Sequence, residues 1–207
     1  GSDKIGGVAA NAVFAVEGIA VTLVFIDSTR GWLVTDSGLQ SEAPTKEYIA
    51  ATGGTESTVG DFKVHKFTGP GTFTVNTVGN ACGSNTVEYL VVAGGGGGGA
   101  HVGGGGSAGG FRNNFPSPAS GGLSVSAQGY PITVGGGGTG GVCGAPTLSK
   151  GVSGATSTFS TISSAGGGGG GGGNCGSNGP GNSGGSGGGG GKGDTNTAQT
   201  GGSGNSP

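Results

Sequence analysis

Side chains able to do acid–base, nucleophilic or metal chemistry are few in this chain and do not stand at working spacings. The two histidines, His65 and His101, are the natural general bases. His65 lies between lysines in the alternating stretch from Asp61 to Phe67, and His101 interrupts glycine runs. Neither has a nucleophile beside it, so the first reads as an exposed strand residue and the second as a loop residue. The acidic residues are scattered, with Asp194 alone after Glu88, and offer no carboxylate pair for glycosidic cleavage. Cys82, Cys143 and Cys175 are widely spaced, with no C-x-x-C or Cys/His cluster for a metal ion. A disulfide between Cys143 and Cys175 with one thiol left over is one arrangement; three small buried thiols is the other. Glycine motifs are met trivially: Lys192 follows Gly191 but precedes Gly193 rather than Ser or Thr, which excludes a phosphate-binding P-loop. The residues therefore predict no catalysis, no cofactor and no metal site.

Contact chemistry is better represented. The stretch from Phe111 to Pro118 combines aromatics, a cation and amides, so Phe111, Arg112, Asn113, Asn114 and Phe115 are candidate contact residues of a surface loop. The competing reading makes Phe111 and Phe115 caps on the side of the glycine segment. A second group is apolar: Val13, Phe14 and Val16, then Val21, Leu23 and Phe25, in two runs of strand-like composition. A few short strands have exposed edges and a thin core, so these six are candidate subunit-interface residues, completed by copies of the same chain.

The elements that position these residues divide the chain into three zones. Residues 1–57 are β-rich, with a turn from Asp27 to Gly31 and another at Asp36–Gly38. Residues 58–93 read as a small β module of three strands in meander, the last from Thr86 to Ala93 and apolar enough to be buried on both faces. Residues 94–207 hold most of the 59 glycines, in runs of up to eight separated by apolar connectors. Glycine brings no side chain to bury, so such runs either stay disordered or pack by backbone hydrogen bonds. The polyproline II conformation makes no internal hydrogen bonds and points its N–H and C=O groups at neighbours; eight glycines at ~3.1 Å each span roughly 25 Å. Collagen is excluded by uninterrupted runs and only 8 prolines. The fold expectation is an all-β N-terminal half of short antiparallel strands, completed by oligomerisation, then a polyglycine II bundle, with essentially no α-helix.

Charge narrows the partners. Only 9% of residues are charged and the net charge is −2, so there is no basic surface for nucleic acid; Arg30 and Arg112 are too few for an arginine–glycine RNA-binding segment. No stretch of about twenty apolar residues exists to insert in a membrane. The absence of methionine, even at position 1, predicts a processed chain or a segment of a longer one, with more chain following the low-complexity end.

Several segments, in order, resemble a known family. The run from Phe62 to Val75, then Val87 to Gly98, Gly109 to Arg112 and Tyr130 to Gly135 is similar to the glycine-rich domain of tail-fibre and other structural proteins of marine tailed bacteriophages. Upstream, Ala20 to Gly38 and Tyr48 to Gly54 resemble segments that precede this domain in the same fibres. The resemblance covers most of residues 19–140. It implies an extracellular virion fibre or adhesin component, usually trimeric. The composition of 94–207 also resembles glycine-rich adhesins at the tips of T-even-type long tail fibres, which implies polyglycine II packing with receptor-contacting loops, here the 111–118 and 174–186 connectors. The expected partners are copies of the chain itself and a host surface protein or glycan. The alternative is a secreted subunit of an extracellular filament that polymerises by β-strand addition.

Overall fold

The computed structural model describes residues 20–38, 47–80, 83–115, 122–143, 149–173, 179–193 and 197–205. The chain falls into two compact units, 1–46 and 47–207. Among the described residues there is no helix, and all named strands pair antiparallel.

In the first unit, β1 (Ala20–Asp27) and β2 (Gly31–Gly38) form a hairpin. The turn closes where Asp27 Oδ1 accepts the N–H groups of Thr29 at 2.8 Å and Arg30 at 2.7 Å, the local bonding that favours aspartate at turns. Strands β-branched and aromatic by composition thus form where the sequence predicts them. The strand-like run containing Val13, Phe14 and Val16 lies outside the described residues.

The second unit is built on a five-stranded sheet: β13 (Ile162–Ser164), β12 (Ser157–Phe159), β11 (Gly129–Thr133), β6 (Gly71–Thr77) and β3 (Ala50–Thr52), in that spatial order. Along β6 the side chains alternate, and Phe73 and Val75 point to the core. With Ala51, Val91, Val125, Tyr130 and Phe159 they form the buried cluster. Its centre is aromatic: Phe159 meets Phe73 edge-on at 5.9 Å, Tyr130 at 6.2 Å and Tyr89 at 6.3 Å. The Tyr130 hydroxyl is satisfied by the Ser126 N–H, which it accepts at 2.8 Å.

Three expectations are corrected here. The 58–93 stretch is not a meander. β5 (Phe62–Lys66) pairs with β4 (Thr55–Val59), β6 pairs with β3 and β11, and β8 (Leu90–Val92) pairs with β9 (Phe111–Asn113). Sequence alternation identifies strands but carries no information on which ones pair across a long connection. The apolar stretch 86–93 is not one strand buried on both faces either. It splits into β7 (Thr86–Val87), which pairs with β10 (Leu123–Ser124), and β8, in which Val91 is buried while Leu90 and Val92 are exposed. Finally, His65 is not an exposed strand residue. Its ring is turned inward, with Nδ1 2.9 Å from the Gly53 carbonyl and the ring edge-on to Phe73 at 5.1 Å.

His65 shares its face of the β4–β5 hairpin with an ion pair between Lys63 Nζ and Glu56 at 2.7 Å. The Lys63 hydrogen bond lowers the Glu56 pKa below the ordinary carboxylate value. A depressed carboxylate stabilises the fold above its unfolded pKa and loses that contribution as pH falls through the folded value. The other face carries Val59, Phe62 and Val64 and is open to solvent. Gly53 and Gly54, just before β4, have φ of 117° and 67°, where only glycine is unstrained; they let the hairpin turn back so that the Phe67 ring lies over them.

Two predictions follow from the packing. Phe73→Ala should cost about 3–5 kcal/mol in denaturant unfolding, because it empties the centre of the aromatic cluster, whereas Phe62→Ala should cost less than about 0.5 kcal/mol at its exposed position. Glu56→Gln should flatten the acid limb of thermal stability: the wild type loses stability as pH falls through the carboxylate range, and the variant loses less.

Candidate functional site

The glycine segment is organised by hydrogen bonds between extended runs at a spacing of three residues. In the run 94–100, the N–H groups of Gly94, Gly97 and Ala100 donate to Ala155, Val152 and Ser149 at 3.0, 2.9 and 3.2 Å. The carbonyls of the same three residues accept from Gly167, Gly170 and Gly173 at 2.9, 2.9 and 3.0 Å. Gly96 and Gly99 donate to Ser107 and Gly104, both at 2.8 Å, and Gly95 and Gly98 accept from Gly138 and Gly141, also at 2.8 Å. A strand shows each neighbour every second residue. Here each neighbour returns every third.

The run 166–173 lies inside this network, and residues 167–173 are all buried. A Cβ placed on Gly166 or Gly169 would sit within 3.0 Å of the backbone of Gly154 or Gly151. On Gly167 or Gly170 it would meet Ser107 or Gly104, and on Gly168 or Gly171 it would meet Asn182 or Gly179. Three faces of one run therefore need glycine, each for a different neighbour. Side chains add a few bonds: Ser153 Oγ accepts the Gly169 N–H at 3.3 Å, Ser107 Oγ donates to the Ser186 carbonyl at 2.6 Å, and Asn182 Nδ2 to Gly151 at 3.3 Å.

The contact residues expected at 111–115 are held by strand pairing. Val92 stands opposite Phe111 and Leu90 opposite Asn113 in the β8–β9 ladder. Phe111, Val92 and Leu90 are 60%, 53% and 52% exposed and share one face of this two-stranded ribbon. Arg112, on the other face, is half-buried. Asn114 is buried, accepting the Tyr89 N–H at 2.7 Å and donating to the Val87 carbonyl at 3.3 Å. It holds the end of β9 in place. The Asn113 amide bonds the Phe115 carbonyl. Leu90 and Val92 complete an apolar patch that the sequence did not reveal, because it requires knowing that β8 and β9 pair.

A second apolar surface lies on the β1–β2 hairpin. Leu23, Phe25 and Trp32 share one face, with Phe25 and Trp32 edge-on at 5.4 Å. Val24 pairs with Leu33 on the opposite face. Phe25, Ile26, Val24, Trp32 and Leu33 are all exposed, and Val21 and Leu23 are half-buried. Both faces of the ribbon are thus apolar and open.

Turns between glycine runs gather at one end of the network. Ala100 bonds both Ser149 and Gly173, and Lys192 donates to the Val102 carbonyl at 3.1 Å. His101, with φ of 59°, Val102 and Lys192 are exposed there. Cys143 is exposed and has no sulfur partner among the described residues; Cys82 and residues 174–178 of the 174–186 connector, Cys175 included, lie outside them. No group of His, Cys, Asp and Glu able to hold a metal ion occurs among the described residues. No helix there is long and apolar enough to cross a membrane.

The chain belongs to the glycine-rich domain family, whose model matches residues 67–207. The match begins at Phe67, just before β6, and so takes in the aromatic core as well as the glycine runs. Searches of curated proteins and of solved structures find no match.

The packing separates two kinds of glycine. Gly169→Ala should destabilise the fold by about 1–3 kcal/mol through overpacking against a backbone that has no rotamer to yield. Gly136, where nothing lies within 4 Å of a built Cβ, should accept alanine with a gain of about 0.4–1 kcal/mol from a less flexible unfolded chain. Thermal unfolding of the two variants, compared with wild type, checks both signs.

Proposed function

We propose that this chain is a non-enzymatic structural and adhesive subunit of an extracellular fibre, most simply a tail-fibre or adhesin-like component of a virion. Its glycine runs are polyglycine II helices packed into a stiff bundle, and its N-terminal ribbon joins it to copies of itself. The observation that carries this reading is the β1–β2 ribbon with apolar side chains open on both faces. An isolated two-stranded hairpin is marginal in water, and a large exposed apolar patch marks an interaction site. A flat partner covers one face of such a ribbon. A closed set of identical ribbons, a trimer being the smallest that surrounds a common axis with neighbours on both sides, covers both.

The glycine bundle supports the same reading through what it omits. The hydrogen bonds that return every third residue are what a helix of three residues per turn produces, and they leave a body with few side chains and almost no charge. Such a body suits stiffness and inertness more than chemistry. Contact with a host surface protein or glycan falls to two places: the Phe111–Val92–Leu90 patch, and the end where His101, Val102 and Lys192 gather.

The test is the assembly state of the full chain, measured by light scattering together with electron microscopy. A discrete trimer in dilute solution, lost to monomer in Phe25→Asp/Trp32→Asp at the same low concentration, supports the proposal. Open-ended filaments would favour the filament subunit joined by strand addition instead. A monomer in both wild type and variant would remove the ribbon as an assembly element.

A further inference from the structure

Two outer runs of the glycine network, 134–141 and 199–205, are unfinished on their outer sides, and we infer that they fit each other across copies of the chain. Hydrogen bonds link the runs: 134–141 bonds to 94–100 and 149–156, these to 165–173, that run to 179–191, and the last to 199–205, while 103–110 bonds to 94–100, 165–173 and 179–191. The 134–141 and 199–205 runs bond on one side only among the described residues.

At 134–141, the N–H groups of Gly138 and Gly141 and the carbonyls of Gly136 and Thr139 point into the network. Gly137 and Gly140 have no backbone partner among the described residues, are exposed, and have no atom closer than 3.6 Å to a built Cβ. At 199–205, the N–H groups of Gln199, Gly202 and Asn205 donate inward to Gly191, Gly188 and Gly184. Gly201 and Gly204 lie between them, exposed, and their own N–H and C=O groups make no backbone hydrogen bond among the described residues, although Gly204 stands opposite Gly184 in an isolated bridge. Both margins therefore present backbone donors and acceptors every third residue, the pattern that every interior run answers with another run.

This is the equivalent of an open sheet edge, and open edges are ordinarily blocked by lysine, proline or a bulge. Neither 134–141 nor 199–205 contains a charged residue or a proline. The occupant is narrowly defined. It must be a three-residue-per-turn chain without side chains at the contact, since interior spacing leaves no room for a Cβ. The 199–205 run of a second copy meets that description, and the 134–141 run of the next copy receives it. Because the two surfaces differ, the contact is heterologous and repeats from copy to copy, giving lateral arrays of fibres rather than closure.

This inference rests on the hydrogen-bond network and is independent of the ribbon. The experiment uses the full chain carrying Phe25→Asp/Trp32→Asp, which removes ribbon association, with and without Gly137→Lys/Gly140→Lys. Sedimentation, carried to concentrations well above those at which this parent is monomeric, should show reversible association in the parent and at least about tenfold weaker association in the lysine variant, with unchanged thermal unfolding because both Cβ positions are open. A second measurement does not depend on that variant. Full chain bearing Thr139→Cys, mixed with full chain bearing Ser203→Cys, should form a crosslinked pair under mild oxidation, beyond what either chain or the wild type gives alone. Equal association of the lysine variant, or a mixed crosslink no greater than the single-chain background, would overturn the inference. If the ribbon reading fails, that appears separately, as an assembly state insensitive to Phe25→Asp/Trp32→Asp.

Discussion

The described glycine runs between 94 and 205 depend on one constraint: two backbones must come close enough to bond, repeatedly, with no Cβ between them. Glycine is costly to order because it loses the most conformational freedom. What offsets that cost here is number. Each interior run answers its N–H and C=O groups to different neighbours on successive residues, so that buried backbone polar groups are satisfied without a sheet or helix. The run 167–173 is buried to a degree usual for apolar side chains, yet contains none. Its cohesion comes from hydrogen bonds and close backbone contact in a region from which water is excluded, where an unmade hydrogen bond is expensive.

Such a network needs an independent device to set its register, because identical glycines do not distinguish one alignment from another. The five-stranded sheet and the β8–β9 ribbon supply it. β8 leads into the 94–100 run, β9 receives the run that ends at Gly110, β11 leads into 134–141, β12 receives 149–156, and β13 leads into 165–173. The ladder continues without a break from strand to glycine, as where Ala93 donates to Gly110 at 3.0 Å. The aromatic cluster of Phe73, Tyr130 and Phe159 locks the strands by shape, and the glycine runs inherit the alignment. Side chains specify the start, and backbone bonds, joined by a few from Ser107, Ser153 and Asn182, extend it.

The legibility of the sequence follows the same division. The strands at 20–27, 62–66 and 71–77 were readable because alternation and β-branched residues act locally. The hairpin turn at Asp27–Gly31 was readable because aspartate and glycine bond and bend locally. That the glycine segment is ordered rather than a linker was suggested by its apolar connectors, and residues such as Tyr130 and Phe159 in those connectors form the core. Partner choice was not legible: β8 with β9 and β6 with β11 join residues far apart in sequence, so the exposed Leu90–Val92–Phe111 patch and the inward turn of His65 appeared only with the fold. Asn114 looked like a contact residue because a side-chain amide in a polar loop gives no sign of whether it faces a ligand or its own backbone.

The central claim is that backbone hydrogen bonds, returning every third residue, hold the glycine network together as firmly as the aromatic core holds the sheet. Hydrogen exchange of the full chain, resolved by residue, tests this directly. The account predicts that the amides of Gly167, Gly168, Gly170 and Gly171 are protected to the same extent as that of Val75, while those of Gly137 and Gly140 exchange freely in the unassociated chain. Exchange of all the glycine amides at the rate of an unstructured peptide, with Val75 still protected, would contradict it and leave the segment as a linker attached to a small β domain.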